Sequence, residues 1–258
     1  MSRVLLTGAA GRIATAVRPV LRELADEVVL TDREEPAEVQ PGERFARADL
    51  ADPARWEGLA AGCDALVHLG AVPDEAAFEV LAGPNLHGAY HVYEAARRAG
   101  VRRVVAASTG RVTGFYRAGE RLDGDATPRP DGLYAATKAF SEALGRMYAD
   151  KFGLEVVALR IGTFEDRPHT ARDLSTWLSH DDARRLVRAA LTGPVDGFLA
   201  VYGVSANTRS WWSLPPSLGY APVDDAEDYA DDVEPDDGIP FQGGPNTAPE
   251  SGGWAMSP

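Results

Sequence analysis

The chain opens on an apolar run, Arg3 to Thr7 (RVLLT), stopped by Gly8, after which apolar residues recur at Ile13, Val17, Val20, Leu21 and Leu24. A short run, a glycine and then a 3.6-residue period predict a strand, a tight turn and an amphipathic helix. The pattern repeats along the chain. Strands are expected at Glu27 to Thr31, near Arg44 to Ala48, and at Ala65 to Leu69, Val101 to Ala107, Val156 to Ile161 and Phe198 to Tyr202. Helices are expected at Gly88 to Ala99, Tyr134 to Phe152 and Asp181 to Leu191. Apolar strands separated by helices require crossover connections, so the expected class is α/β: a doubly wound parallel sheet covered on both faces.

Two stretches lack an element period, Gly114 to Gly132 and Thr163 to Leu178, and the first is expected to lie over a site at the carboxyl ends of the strands. From Leu214 the proline and glycine content rises, and the end of the chain reads as an arm that is either extended or disordered, with Phe241 and Trp254 favouring partial packing. The expected division is residues 1–160 for a nucleotide-binding domain, 161–222 for a small C-terminal substrate lobe interleaved with the last strands, and 223–258 for an acidic, extended C-terminal arm.

The 258 residues, 45% hydrophobic and 25% charged, suit a soluble globular protein. Nine of the acids that make up the net charge of −13 lie between Asp224 and Asp237, and the rest of the chain carries −4. Such a balance argues against a nucleic-acid partner and leaves a small anionic substrate open. Arg12 interrupts the apolar N-terminus and no membrane span is evident, so a cytoplasmic protein is expected. The single cysteine, Cys63, has no disulfide partner and reads as a packing residue. The Pro/Gly-rich arm suggests a homo-oligomer.

The segment Thr7-Gly8-Ala9-Ala10-Gly11-Arg12-Ile13-Ala14 has the form T-G-x-x-G-x-x-A between the first strand and first helix. Glycines there let the backbone approach a pyrophosphate, which the helix N-terminus attracts. Asp32, at the end of the second strand, can accept ribose hydroxyls and would repel a 2′-phosphate, which points to NAD rather than NADP, although Arg12 and Arg33 flank the region. Asp49 and Leu50 are candidates for the adenine end. Tyr134 and Lys138 stand four apart on a helix and share a face, so an ammonium can sit near a phenol and lower its pKa. With eight tyrosines and two lysines in the chain, the chance expectation for this spacing is about 0.06. Ser108 and Thr109 end the fifth strand, where either hydroxyl can point at the same substrate oxygen. Asn85, taken without the other motifs, reads as an N-cap of the following helix. His87 and His91 are one helical turn apart, but no third ligand with suitable spacing accompanies them, and no metal is expected. Trp211 and Trp212 are a core pair or a pocket wall.

Together these residues resemble the extended short-chain dehydrogenase/reductase superfamily, the NAD-dependent epimerase/dehydratase fold, and within it the uronate dehydrogenase group. The likeness runs through TGAAGRIA, CDALVHLGA, NLHGAYHVYEAAR, RPDGLYAATKAFSE, LRIGT, LSTWLSHDD, VYGVSAN and FQGG. It implies a Rossmann-type fold and NAD as cofactor, with Gly8, Ala10, Gly11, Arg12, Ile13, Asp32, Asp49, Leu50, Leu69, Gly70, Ala71, Tyr134, Lys138 and Ile161 as candidate contacts. It implies Tyr134 as general base, Lys138 as the residue that lowers its pKa, Thr109 as the hydroxyl usually contributed by serine, and Asn85 as a supporting polar residue. Arg172 matches an arginine that holds the substrate carboxylate, and Thr163 a nearby serine. The departures lie in the substrate half: Thr109-Gly110-Arg111 stands where the group shows Ser-Asn-His, and Pro73 where it has serine. These losses point to an altered pocket.

The expected activity is hydride transfer between nicotinamide and a hydroxyl, hemiacetal or keto carbon of a cyclic, sugar-like small molecule. Two readings stand beside it: a ketone reductase for a nucleoside-like or other specialised metabolite, and a dinucleotide sensor without catalysis.

Overall fold

A computed structural model describes residues 1–235 and 238–249. Seven strands, β1 (Arg3–Thr7), β2 (Glu27–Thr31), β3 (Glu43–Phe45), β4 (Ala65–His68), β5 (Arg103–Thr109), β6 (Glu155–Ile161) and β9 (Phe198–Gly203), form one sheet in the order β3-β2-β1-β4-β5-β6-β9. Every pairing is parallel. The inner strands are apolar through their middles because both faces are covered, whereas the edge strand β3 is polar and partly exposed. Val4, Leu6, Val28, Leu30, Val67, Val105 and Val157 face one layer, whereas Leu5, Val29, Leu66, Val104 and Val156, one residue out of phase, face the other. The first layer is closed by α1 (Arg12–Leu24) and α7 (His180–Thr192); the second by α2 (Trp56–Leu59), α4 (Gly88–Ala99) and α5 (Leu133–Phe152). This is the Rossmann-type fold the sequence implies. Its strand order reverses between β1 and β4, which places the switch point of the sheet at the carboxyl ends of these two strands.

Several boundaries differ from the sequence reading for identifiable reasons. Strand β5 begins at Arg103 rather than Val101 because Gly100 ends α4 in the left-handed region and the Val101 N–H bonds back to Ala96 O at 2.9 Å. The third strand is confined to Glu43–Phe45. Asn85 does not begin a helix: α3 (Phe78–Leu81), a π turn (Ala82–His87) and α4 run on without a break, and Asn85 lies buried inside the π turn. The irregular stretch after β6 contains a two-stranded parallel pair, β7 (Thr163–Phe164) and β8 (Trp177–Leu178), on either side of α6 (Asp173–Thr176). Such pieces are too short to leave a period in the sequence.

Parts of the arm pack against the rest of the protein. Ala226, Tyr229 and Val233 cover Leu174 and Trp177, and Phe241 meets the Phe115 ring edge-on at 5.6 Å. Three of its acids have side-chain partners: Asp224 accepts from Ser179, Asp225 from Thr208, and Glu227 pairs with Arg209. Trp254 lies outside the described residues. No helix among the described residues is long and apolar enough to cross a membrane.

Candidate active site

A cleft of about 840 Å³ runs along the carboxyl edge of the sheet, from Asp32 and Asp49 past Gly8 and Tyr134 to Arg172 and Asn246. All the candidate cofactor, substrate and catalytic residues from the sequence line it except Asn85.

At one end, Gly8 takes φ +70°, and a Cβ there would lie 2.6 Å from Gly70 Cα, so the loops after β1 and β4 meet backbone to backbone. Helix α1 begins at Gly11 with no side-chain cap and no acid in its first turn, which leaves its N–H groups and positive dipole end for an anion. Asp32 accepts from Ala10 N at 3.0 Å and Arg33 N at 2.6 Å, joining the glycine turn to the end of β2. Arg12 reaches Glu165 at 3.1 Å and Phe164 O at 3.3 Å, so it bridges to the β7 segment. Leu50 packs against Gly70 and Gly88, and His91 Nδ1 bonds Leu50 O at 2.8 Å while His87 is exposed.

Tyr134 occupies the first turn of α5 and Lys138 the next. Lys138 is buried, its Nζ donates to Ala107 O at 3.1 Å and lies 5.9 Å from the centre of the Tyr134 ring. Burial pulls the ammonium down to about 8 and pushes the Tyr134 phenol up to about 12, the latter opposed by the Arg111 guanidinium. His68, buried near Lys138, is brought down to about 3 by burial first and that cation second, and so is neutral; its Nδ1 bonds Thr7 Oγ1 at 2.8 Å. Of the two strand-end hydroxyls, Ser108 donates to Glu142 at 2.6 Å, and Glu142 in turn holds Arg160 at 2.8 Å inside the protein. Thr109 Oγ1 accepts from Arg111 N at 3.3 Å and keeps its own proton available on the cleft wall.

Asn85 stands behind this wall. Its Oδ1 accepts from Val72 N at 2.8 Å and its Nδ2 donates to Val72 O at 3.2 Å and to Thr137 Oγ1 at 3.0 Å; Thr137 in turn donates to Tyr134 O at 2.7 Å. The π turn, with its extra residue, directs this amide inward. Asn85 is thus linked to the Tyr134 backbone through Thr137.

At the far end, Arg172 donates from Nε to Gln242 O at 2.6 Å and from Nη1 to Thr163 and Thr176, both at 3.3 Å, and Thr163 donates to Asp173 at 2.8 Å. Arg111 is anchored by Asp131 at 2.9 Å and by Asp74 and Glu75 at 3.1 Å. Trp212 resolves as a core residue with a site-facing consequence: it stacks on Tyr202 and backs Gly110, where any Cβ would collide with its ring. Sequence reasoning missed Asp74, Glu75, Asp131, Gln242 and Asn246. One signal was available, because Gly132 cannot cap α5 with a side chain and a long helix without a cap invites one from elsewhere.

A cleft at the switch point of a parallel sheet, with a buried tyrosine and lysine on one helix face, defines a dinucleotide-dependent oxidoreductase of the short-chain type. The model of the NAD dependent epimerase/dehydratase family matches residues 4–191. The chain belongs to that family; it is an enzyme, and its cofactor is NAD. It is 42% identical to a uronate dehydrogenase of Pseudomonas putida over 236 residues, 90% of this chain and 88% of that one. It is 34% identical to an L-arabinose 1-dehydrogenase (NAD(P)(+)) of Haloferax volcanii over 88% of this chain and 98% of that one. A crystal structure of a mutant uronate dehydrogenase from Agrobacterium tumefaciens complexed with NAD superposes with a TM-score of 0.91 at 40% identity, covering 96% of this chain and 97% of that chain.

Proposed function

We propose that the protein oxidises a cyclic sugar acid at a ring hydroxyl, in the manner of a uronate dehydrogenase. The observation that carries this reading is the presence of Tyr134, Lys138 and Thr109 in the same cleft as Arg172. The residues fit the cofactor: Gly8 and Gly70 leave room only for backbone, the uncapped start of α1 suits a pyrophosphate, and Asp32 suits a ribose diol. NAD, when bound, supplies the hydride acceptor at its nicotinamide ring.

In this reading Arg172 holds the substrate carboxylate, and Thr109 donates a hydrogen bond to the reacting oxygen. Tyr134, as phenolate, takes the hydroxyl proton while the adjacent C–H is oxidised, which converts a cyclic hemiacetal into a lactone. Burial holds the phenol at about 12 with the Arg111 guanidinium already opposing it, so reaching near neutrality requires about 7 kcal/mol of further differential stabilisation.

Replacing Tyr134 with Phe should abolish NADH formation from D-glucuronate or D-galacturonate while NAD affinity, followed by protein fluorescence, stays within twofold. Retained turnover would remove Tyr134 as base. A second reading, reduction of another cyclic ketone, is favoured by Pro73 and Gly110, which offer the substrate no side-chain hydrogen bond. Failure of both uronates to yield NADH would support it.

A further inference from the structure

The arrangement around Arg111 joins the segments after two strands and the loop ahead of α5 at the tyrosine. Asp74 and Glu75 follow β4, Arg111 follows β5, and Asp131 precedes α5. Three of the five guanidinium N–H donors are taken by these carboxylates, which holds Arg111 nearly buried with its Cζ 5.5 Å from the centre of the Tyr134 ring. Lys138 Nζ, at 5.9 Å, is no closer. The Glu75 carboxylate also accepts from Leu133 N at 2.7 Å and Tyr134 N at 3.3 Å, so one side chain caps α5 and orients Arg111. A Cβ at Gly132 would fall on the Glu75 carboxylate, so a larger residue there would push this cap aside.

We propose that Arg111 is a positioning residue for proton transfer: oriented by Glu75 and Asp131, it supplies the second positive charge that stabilises the Tyr134 phenolate. The proposal rests on the reading of Tyr134 as base. A guanidinium does not lose its proton in the working range, whereas the buried Lys138 ammonium does so from about 8 upward, so in mildly alkaline solution Arg111 is the cation that persists. The charged groups facing the phenol are Arg111, Lys138, Asp74 and Asp131, with Glu75 engaged by Arg111 and the helix N-terminus. Asp74 and Asp131 oppose phenolate formation, but Asp74 is 80% exposed and therefore screened, and Asp131 is paired with Arg111 at 2.9 Å.

The test follows ionisation of Tyr134 in the NAD-saturated full chain, by ultraviolet difference absorbance against Tyr134→Phe, and in parallel the pH profile of kcat/KM. One charge at this distance shifts a titration by roughly 0.5 to 2 pH units between water-like and surface-like screening. Arg111→Gln should raise the midpoint by that amount, Arg111→Lys by a few tenths of a unit, and both should keep NAD affinity within twofold. Asp74→Asn, an exposed substitution that leaves the fold intact, should move the midpoint down. A midpoint unmoved in Arg111→Gln, or moved up in Asp74→Asn, overturns the proposal. The absorbance titration needs no substrate, so an inactive uronate assay would count against the proposed function alone, whereas an active Tyr134→Phe enzyme would overturn both.

Discussion

Keeping Lys138 charged inside the protein should cost folding stability, and Lys138→Met measures that cost. The side chain is 5% exposed, and burial lowers its ammonium from 10.5 to about 8. Below pH 8 that shift corresponds to about 3 kcal/mol by which the folded state is penalised. Methionine fills a similar volume without charge; it gives up the hydrogen bond to Ala107 O, worth about 1 kcal/mol. The variant should therefore be more stable than the parent at pH 7 by about 2 kcal/mol, or roughly 4–8 °C in melting temperature for a chain of this size. Between about 8 and 10.5 the unfolded chain still holds a proton that the folded parent has lost, so the parent gains stability as pH rises and the advantage of the variant fades. Urea unfolding of both proteins at pH 7 and pH 10.5 reads this directly, since all other titrating groups are shared. A variant less stable at pH 7, or an advantage that does not shrink with pH, would refute the argument. NADH formation should be lost in the same variant, separating stability from activity at one residue.

Two further outcomes test the surroundings of the site. Glu142→Gln leaves the buried Arg160 guanidinium short of its counter-charge and should cost about 3–5 kcal/mol in urea unfolding, whereas Glu165→Gln, which breaks the exposed pair with Arg12, should cost under about 1 kcal/mol; equal losses would contradict the burial argument. Burial pushes the Cys63 thiol up to about 11, so a thiol-disulfide reagent at pH 8 should label the native protein about a hundredfold more slowly than the urea-unfolded chain, and comparable rates would show that the turn carrying Cys63 opens readily.

The sheet was legible in the sequence because both of its faces are covered: strands apolar on every residue, as in Ala65 to Val67, differ visibly from amphipathic helices such as α1. The glycine turn, Asp32 and the Tyr134–Lys138 pair were legible for a related reason. Each depends on residues a few positions apart or on the end of one strand, so local geometry sets their relation before the chain collapses. Asn85 shows where that reasoning stops: its residue type was noticed, but a π turn changes the helical phase without a mark in the hydrophobic pattern, and its function as a brace between Val72 and Thr137 appears only in space. Glu75 capping α5 from 58 positions away, Asp131 and Asp74 orienting Arg111, and Asn246 entering the cleft from the arm are likewise products of the tertiary structure. The crossovers of a parallel sheet deliver every strand's carboxyl end to one edge, and charged side chains that meet there are matched by direction and distance rather than by spacing along the chain.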